Sequence, residues 1–353
     1  MRLLCGPVIK FSIFAFLFFR KEISVKIALA GKPGCGRSTL FRALAGSPNA
    51  DSGKPLTVKV PDHRLDFLES IHNPLKNTHA TVVFFDVPTP SFSAKNLTLI
   101  RNAAVLTIVL DNYALGDTVN DFNDIESELI LSDMSLCEKR LARLIKESKG
   151  KTREALLLGN LLKHMENGSP LRILELDKGE AAILAPYALL SLKPLIVVSN
   201  RMGDPVTPDE ELSAAVSEHG GTLLAVDAGF ELELTEIDES EQAPFLESMG
   251  YTSSGLSRLI RSSYSALDLI VFLTIGKDET RAWPIRKGST ALDAAGAIHS
   301  DLERGFIRAV VVPWELYHEH PDRTVLKEKG ELRIEGRHYI VKDGDLIEIR
   351  FNV

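Results

Sequence analysis

Residues 23–46, ISVKIALAGKPGCGRSTLFRALAG, constrain this chain more than any other stretch. A β-branched apolar run ends in a glycine-rich turn, and an amphipathic helical pattern follows at once. That strand, loop and helix order is the entry unit of a parallel α/β sheet. Within it, Gly31, four intervening residues, then Gly36, Arg37 and Ser38 reproduce the spacing of a phosphate-binding loop at every position but one, where arginine replaces lysine. The glycines let backbone N–H groups turn inward around phosphate oxygens, and the helix offers its positive N-terminal end. The candidate binding residues are Gly31, Lys32, Gly34, Cys35, Gly36, Arg37, Ser38 and Thr39.

Arg37 keeps the positive charge but not the shape of lysine, because a planar guanidinium is bulkier than a compact ammonium. Lys32, at the loop mouth, is either compensating charge or a solvated surface lysine. Cys35 is either a thiolate stabilised near a helix N-terminus or a small residue filling the loop. Asp86, at the end of TVVFFD, stands where nucleotide hydrolases place the aspartate that holds Mg2+ through water, with Ser38 as the hydroxyl ligand. The alternative for Asp86 is a turn cap.

Further runs, TVVFFDVP, AVLTIVLD, PLIVVSN and TLLAVDA, are apolar without alternation, as strands buried on both faces of a parallel sheet require. Between the third and fourth runs, counting from the first strand, the period becomes helical. Ile125, Leu129, Leu136, Leu141 and Leu144 mark one helix, and Leu157, Leu161, Leu162 and Met165 a second, with ESKGKT as their turn. From Leu267 on, DLIVFLTIG and the KDGD turn between alternating runs predict a small sheet domain. The expected organisation is an apolar extension at 1–22, a P-loop domain of mainly parallel sheet at 23–120 and 190–266, a coiled-coil-like helical insertion at 121–189, and an α+β domain at 267–353.

The net charge of -7 argues against wholesale coating of nucleic acid and limits any RNA contact to a local patch. The three cysteines have no zinc-site spacing, and their odd number disfavours a disulfide scaffold, which fits a reducing cytoplasm. The apolar run at 11–19 is too short to span a bilayer, so no integral membrane role is expected. Three readings of 1–22 stay open: an extension from a misassigned start, a packed or membrane-touching helix, and an export signal whose cleavage would remove the first strand.

Several longer stretches resemble the YchF-type, Obg-like P-loop NTPases, a translation-associated family. They are VPDHRLDFL, ESELILSDMSLCEKRLARL, FLESMGYTSSGLSRLIRSSY, RAWPIRKGSTALDAAGAIHSDLERGFIRAVVV and EGRHYIVKDGDLIEIRFNV. The resemblance covers nearly all of the chain after Ile23. It implies a G domain, a helical insertion and a C-terminal TGS domain of ubiquitin-like fold. It also implies a switch driven by ATP or GTP with Mg2+, meeting ribosomes or RNA through the TGS domain and the insertion. Gly31, Gly36, Ser38 and Thr39 match the family's phosphate loop, Asp86 the aspartate of its DxxG, and Asn200 the first residue of its base-reading NxxE. Three positions depart: Arg37 for lysine, Thr89 for the DxxG glycine, and Gly203 for the NxxE glutamate. Asp204 follows one place later, and Asp227, Ala228 and Gly229 echo the base-packing loop.

These departures fall on nucleotide-contacting positions, and no general base is identifiable, so the catalytic residues are unknown. The expected function is a nucleotide-binding, ribosome- or RNA-associated cytoplasmic factor with weak or absent hydrolysis. The alternatives are an active ATPase or GTPase switch and a nucleotide-free TGS scaffold. In the last domain, Trp283, Arg286, Lys287, His299, Arg304, Phe306 and Arg308 are either RNA contacts or core and solvated-face residues.

Overall fold

The computed structural model describes residues 25–113, 117–203, 209–276 and 278–352. The 1–22 extension and Asp204 lie outside them. In chain order, β1 (Val25–Gly31) leads into α1 (Arg37–Leu44), followed by β2 (Leu56–Lys59), α2 (His63–His72), β3 (Lys76–Thr78), β4 (Thr81–Asp86), α3 (Ala94–Arg101) and β5 (Val105–Asp111). Then come α4 (Thr118–Lys146), α5 (Arg153–Glu166), α6 (Lys178–Leu184), β6 (Leu195–Asn200), α7 (Glu210–Glu218), β7 (Thr222–Val226), α8 (Ala228–Leu234), α9 (Glu239–Ser248) and α10 (Gly255–Ser265). The chain continues through β8 (Leu269–Ile275), β9 (Glu279–Arg286), α11 (Ala291–Ile298), α12 (Ser300–Arg304), β10 (Phe306–Val312), α13 (Trp314–Glu319), α14 (Arg323–Glu328), β11 (Arg333–Glu335) and β12 (Leu346–Phe351).

These elements form two compact units. One holds Val25–Leu56 and Val83–Leu267, the other Thr57–Val82 and 268–352. The sequence reading kept 57–82 with the P-loop domain, whereas its residues cluster with the C-terminal ones.

In the first unit the strands lie in the order β4, β1, β5, β6, β7. β1, β5, β6 and β7 are parallel neighbours, with Ile27 opposite Val105, Leu106 opposite Leu195 and Ile196 opposite Thr222. Every residue of β6, and all of β5 except Asp111, is buried, which accounts for their uninterrupted apolar sequences. The chain is α/β, with a mainly parallel sheet.

The long helix α4 serves two cores. Its first half gives Phe122, Ile125 and Leu129 to the cluster around Ile108, Leu110 and Val197. Its second half gives Cys137 and Leu144 to a separate cluster with Leu158, Leu161 and Met165 of α5. The Thr152 hydroxyl accepts from Ala155 N–H and starts α5 after the ESKGKT turn. Polar groups at the base of this hairpin are buried but paired. Asp133 accepts from Ser191 N–H at 2.7 Å, Leu190 N–H at 3.0 Å and Arg101 Nη1 at 2.8 Å. Arg172 donates to both carboxylate oxygens of Glu126, at 2.6 and 3.2 Å. Burial raises the Glu126 carboxyl, but Arg172 and His219 outweigh it and hold it below its ordinary value. Lys193 donates to the carbonyls of Ala103 (2.5 Å) and Arg101 (3.0 Å), and burial lowers it to about 7.

The second unit carries a mixed sheet in the order β11, β10, β12, β8, β9, β3. β8 and β9 form an antiparallel pair, β10 and β12 another, while β12 meets β8 and β3 meets β9 in parallel. Ala291, Ala294 and Ala295 of α11 lie in its core with Phe272, Ile285, Val311 and Ile347. Small side chains there let the helix approach the sheet closely. The KDGD turn forms before β12, with Gly344 at φ 83° and Lys342 N–H donating to Asp345.

Candidate functional site at the glycine loop

The loop leaves β1 at Gly31 and enters α1 through Gly36, whose φ of 83° is left-handed and suits glycine alone at low cost. A Cβ at Gly36 would collide with the Asn200 amide, and one at Gly31 would lie 2.6 Å from the Val109 carbonyl oxygen. The glycines therefore serve close packing beneath the loop as well as its turn. No side chain caps α1, so its first-turn amides have the open geometry that binds anions.

Asn200, at the end of β6, reaches the loop from below. Its Nδ2 donates to the Cys35 carbonyl at 3.0 Å, and its Oδ1 accepts from Ala228 N–H at 3.0 Å. It clamps the loop to the start of α8. Asp227 caps that helix by accepting from Phe230 N–H at 3.0 Å and also accepts from the Tyr113 hydroxyl. Burial and that carboxylate raise the Tyr113 phenol. Cys35 is buried, which raises its thiol and makes it a packed, neutral group. Gly34, at φ 84°, lies at the open side, where a Cβ would meet nothing.

The charged residues of the loop are turned onto the protein. Lys32 Nζ donates to Asp121 (2.6 Å) and Asp124 (2.9 Å) of α4, and these hydrogen bonds, that to Asp121 above all, raise its ammonium above the ordinary lysine value. Arg37 is buried. Its Nε forms an ion pair with Asp86 Oδ1, Nη1 donates to Ser91 Oγ at 2.6 Å and Nη2 to Thr89 Oγ1 at 3.3 Å. Ser38 Oγ donates to Asp86 Oδ2 at 3.0 Å. Burial raises the Asp86 carboxyl against the pull of Arg37 and Ser38. Thr39 follows in the first turn of α1.

Sequence reasoning missed Ser91 and Asn96. Ser91 Oγ accepts from Gly31 N–H at 3.3 Å as well as from Arg37, and donates to the Val87 carbonyl at 3.4 Å. Asn96 Nδ2 donates to the carbonyls of Pro88 (2.7 Å) and Pro90 (2.8 Å), tying down the segment after Asp86. The prolines of VPTPSFS were the local signal for Asn96, whereas the Ser91 contacts to Gly31 and Arg37 join positions far apart in sequence.

Phosphate fits this loop: backbone amides at an uncapped helix start, glycines where a side chain would intrude, and a cationic group at the base. A divalent metal fits less well. Ser38 and Asp86 are hard oxygen donors of the right kind, but both Asp86 oxygens are engaged, one by the Arg37 guanidinium. Among the described residues no three His, Cys, Asp or Glu side chains converge to hold a metal ion.

In the second unit, Trp283 and Phe306 lie in or against the core, with Trp283 Nε1 donating to Thr274 Oγ1 at 2.9 Å and Arg281 4.0 Å above its ring. His299 caps α12, and Arg304 pairs with Asp301. Arg308 and Lys287 are exposed, and Arg286 is half-buried. Among the described residues no helix is long and apolar enough to cross a membrane.

Residues 269–352 match the family model YchF-GTPase_C, described as "Protein of unknown function (DUF933)". The chain is 34% identical over 360 residues to the "Ribosome-binding ATPase YchF" of Buchnera aphidicola subsp. Schizaphis graminum, covering 93% of this chain and 99% of the relative. It is 34% identical over 366 residues to the protein of the same name from Bacillus subtilis strain 168, covering 94% and 100%. The solved Schizosaccharomyces pombe YchF GTPase superposes with a TM-score of 0.83 at 25% identity, covering 94% of this chain and 99% of that one. Similarity of this extent, running through both units and the helical hairpin, places the chain in the YchF family.

Proposed function

We propose that this protein is a P-loop purine-nucleotide binder with weak or absent hydrolysis that works as a ribosome- or RNA-associated factor. The observation that carries the nucleotide reading is the uncapped start of α1 behind a glycine loop that Asn200 holds by the Cys35 carbonyl. The α- and β-phosphates of ATP or GTP take backbone amides of the loop and of the first turn of α1, apart from the Gly31 amide, which Ser91 holds, and Pro33, which has none. Asn200 holds the loop and the start of α8 in register rather than offering a free amide edge to the base. The ribosome association follows the names of the bacterial relatives, which are ribosome-binding ATPases.

Weak hydrolysis is supported by where the cations point. Arg37 is committed to Asp86, Ser91 and Thr89, and Lys32 to Asp121 and Asp124, so neither side chain is directed at a transferring phosphoryl group. Thr89 replaces a glycine whose backbone would approach the γ-phosphate in a responsive switch. Ser38 and Asp86 are the oxygen donors for any Mg2+, in competition with Arg37.

Calorimetric titration of the full chain with ATP, GTP, ADP and GDP tests the reading, together with steady-state phosphate release. Binding with turnover well under about 1 per second is expected. Turnover at or above that rate restores the active switch, and affinity for none of the four leaves the scaffold.

A further inference from the structure

We propose that the Arg37 guanidinium is the resident cation of this site, so that the loop holds a nucleoside diphosphate without a divalent metal. The inference rests on the phosphate-loop reading and adds the ionic form of the ligand.

The carboxylate on which a metal would depend is fully used. Asp86 Oδ1 lies against Arg37 Nε, and Asp86 Oδ2 accepts from Ser38 Oγ at 3.0 Å. The Arg37 and Asp86 side chains are only 9% and 4% exposed, so water neither screens the pair nor offers Arg37 another partner. The guanidinium spreads its charge over a rigid planar fork of donors. A dication at Ser38 and Asp86 would have to displace the guanidinium or sit beside it, and like charges at that distance repel strongly.

The guanidinium is also fixed from its far side. Nη1 donates to Ser91 at 2.6 Å, and Ser91 in turn holds the Gly31 amide and the Val87 carbonyl. Asn96 locks the two proline carbonyls on either side of Thr89, whose hydroxyl accepts from Nη2. Arg37 therefore presents a positioned charge at the first residue of α1, where the helix start already favours an anion. Asp86, Ser38, Ser91 and Thr89 are positioning residues for that charge.

The test is calorimetry of the full chain with ADP and GDP, once in excess EDTA and once in excess MgCl2. The two dissociation constants are expected to agree within about twofold. In Arg37→Lys the compact ammonium releases Asp86 and Ser38, and Mg2+ is expected to tighten binding by about tenfold or more. Ser91→Ala loosens the guanidinium and is expected to give an intermediate metal effect. Mn2+ electron paramagnetic resonance supplies a second readout: the six-line signal of free Mn2+ is expected to keep its full amplitude with nucleotide-free wild type and to fall with Arg37→Lys. Wild-type affinity that rises about tenfold with Mg2+ overturns the proposal and leaves the phosphate loop standing. Binding of neither nucleotide in either condition overturns both. Should Arg37→Lys fail to fold, the wild-type comparison and Ser91→Ala still decide.

Discussion

At the base of the helical hairpin Arg172 grips Glu126 through two aligned hydrogen bonds, whereas at the glycine loop Arg37 meets Asp86 as an ion pair in which Arg37 Nε and Asp86 Oδ1 lack an aligned hydrogen bond. Both pairs are buried, and both join distant parts of one unit. The hairpin pair is backed by further contacts: Arg172 Nε donates to the Lys193 carbonyl at 2.9 Å, and Asp133 close by collects two backbone amides. The loop pair leans on side-chain hydroxyls. Aligned hydrogen bonds hold the hairpin junction, and charge together with the surrounding hydroxyls holds the loop junction.

The largest effect expected from this contrast is at Asp133. Asp133→Ala leaves Arg101 and two amides without their acceptor and should cost about 3–5 kcal/mol in chemical denaturation; a loss under about 1 kcal/mol would erase the distinction. Glu126→Gln keeps the shape but removes the charge opposite Arg172, and about 2–3 kcal/mol is expected by the same measurement.

Lys193 adds a pH signature to the hairpin side. Its folded value of about 7 lies below the unfolded lysine value, so between the two the unfolded chain binds more protons and stability rises with pH. The penalty is fully present below about 7. Wild type compared with Lys193→Met from neutral to mildly alkaline pH should gain stability by at most about 1.4 kcal/mol per pH unit. A flat difference would mean that the ammonium stays charged in the fold.

The smallest effect is expected at the loop. Ser38→Ala should change unfolding free energy by about 1 kcal/mol or less, because it removes one part-buried hydroxyl donor and keeps the Arg37–Asp86 pair. A cost equal to that of Asp133→Ala would make the loop pair a structural junction as well.

Much of this was legible in sequence, for physical reasons that differ by region. The uninterrupted apolarity of AVLTIVLD and PLIVVSN reports burial on both faces, and β5 and β6 have it. Helical spacing announced α4 and α5 but not that Ile125 and Leu129 pack on the sheet while Leu144 packs on the hairpin, since a stripe says which face is apolar and not what covers it. The loop glycines follow from spacing. The destination of Arg37 does not, because it is set by Ser91 and Asp86, which only the folded chain brings near it. The grouping of 57–82 with the C-terminal residues was likewise invisible, as no local pattern marks a segment that joins a partner so distant along the chain.

That last arrangement governs the order of synthesis and the design of fragments. The strand β3 must wait for β9, and the whole of Val83–Leu267 is made in between. During translation Thr57–Val82 emerges long before the sheet it will edge, and closing so long a loop favours late, cooperative completion of the second unit. A fragment beginning at Asp268 would lack that edge strand. An autonomous version of the C-terminal body calls for a circular permutant or a fusion that carries both pieces.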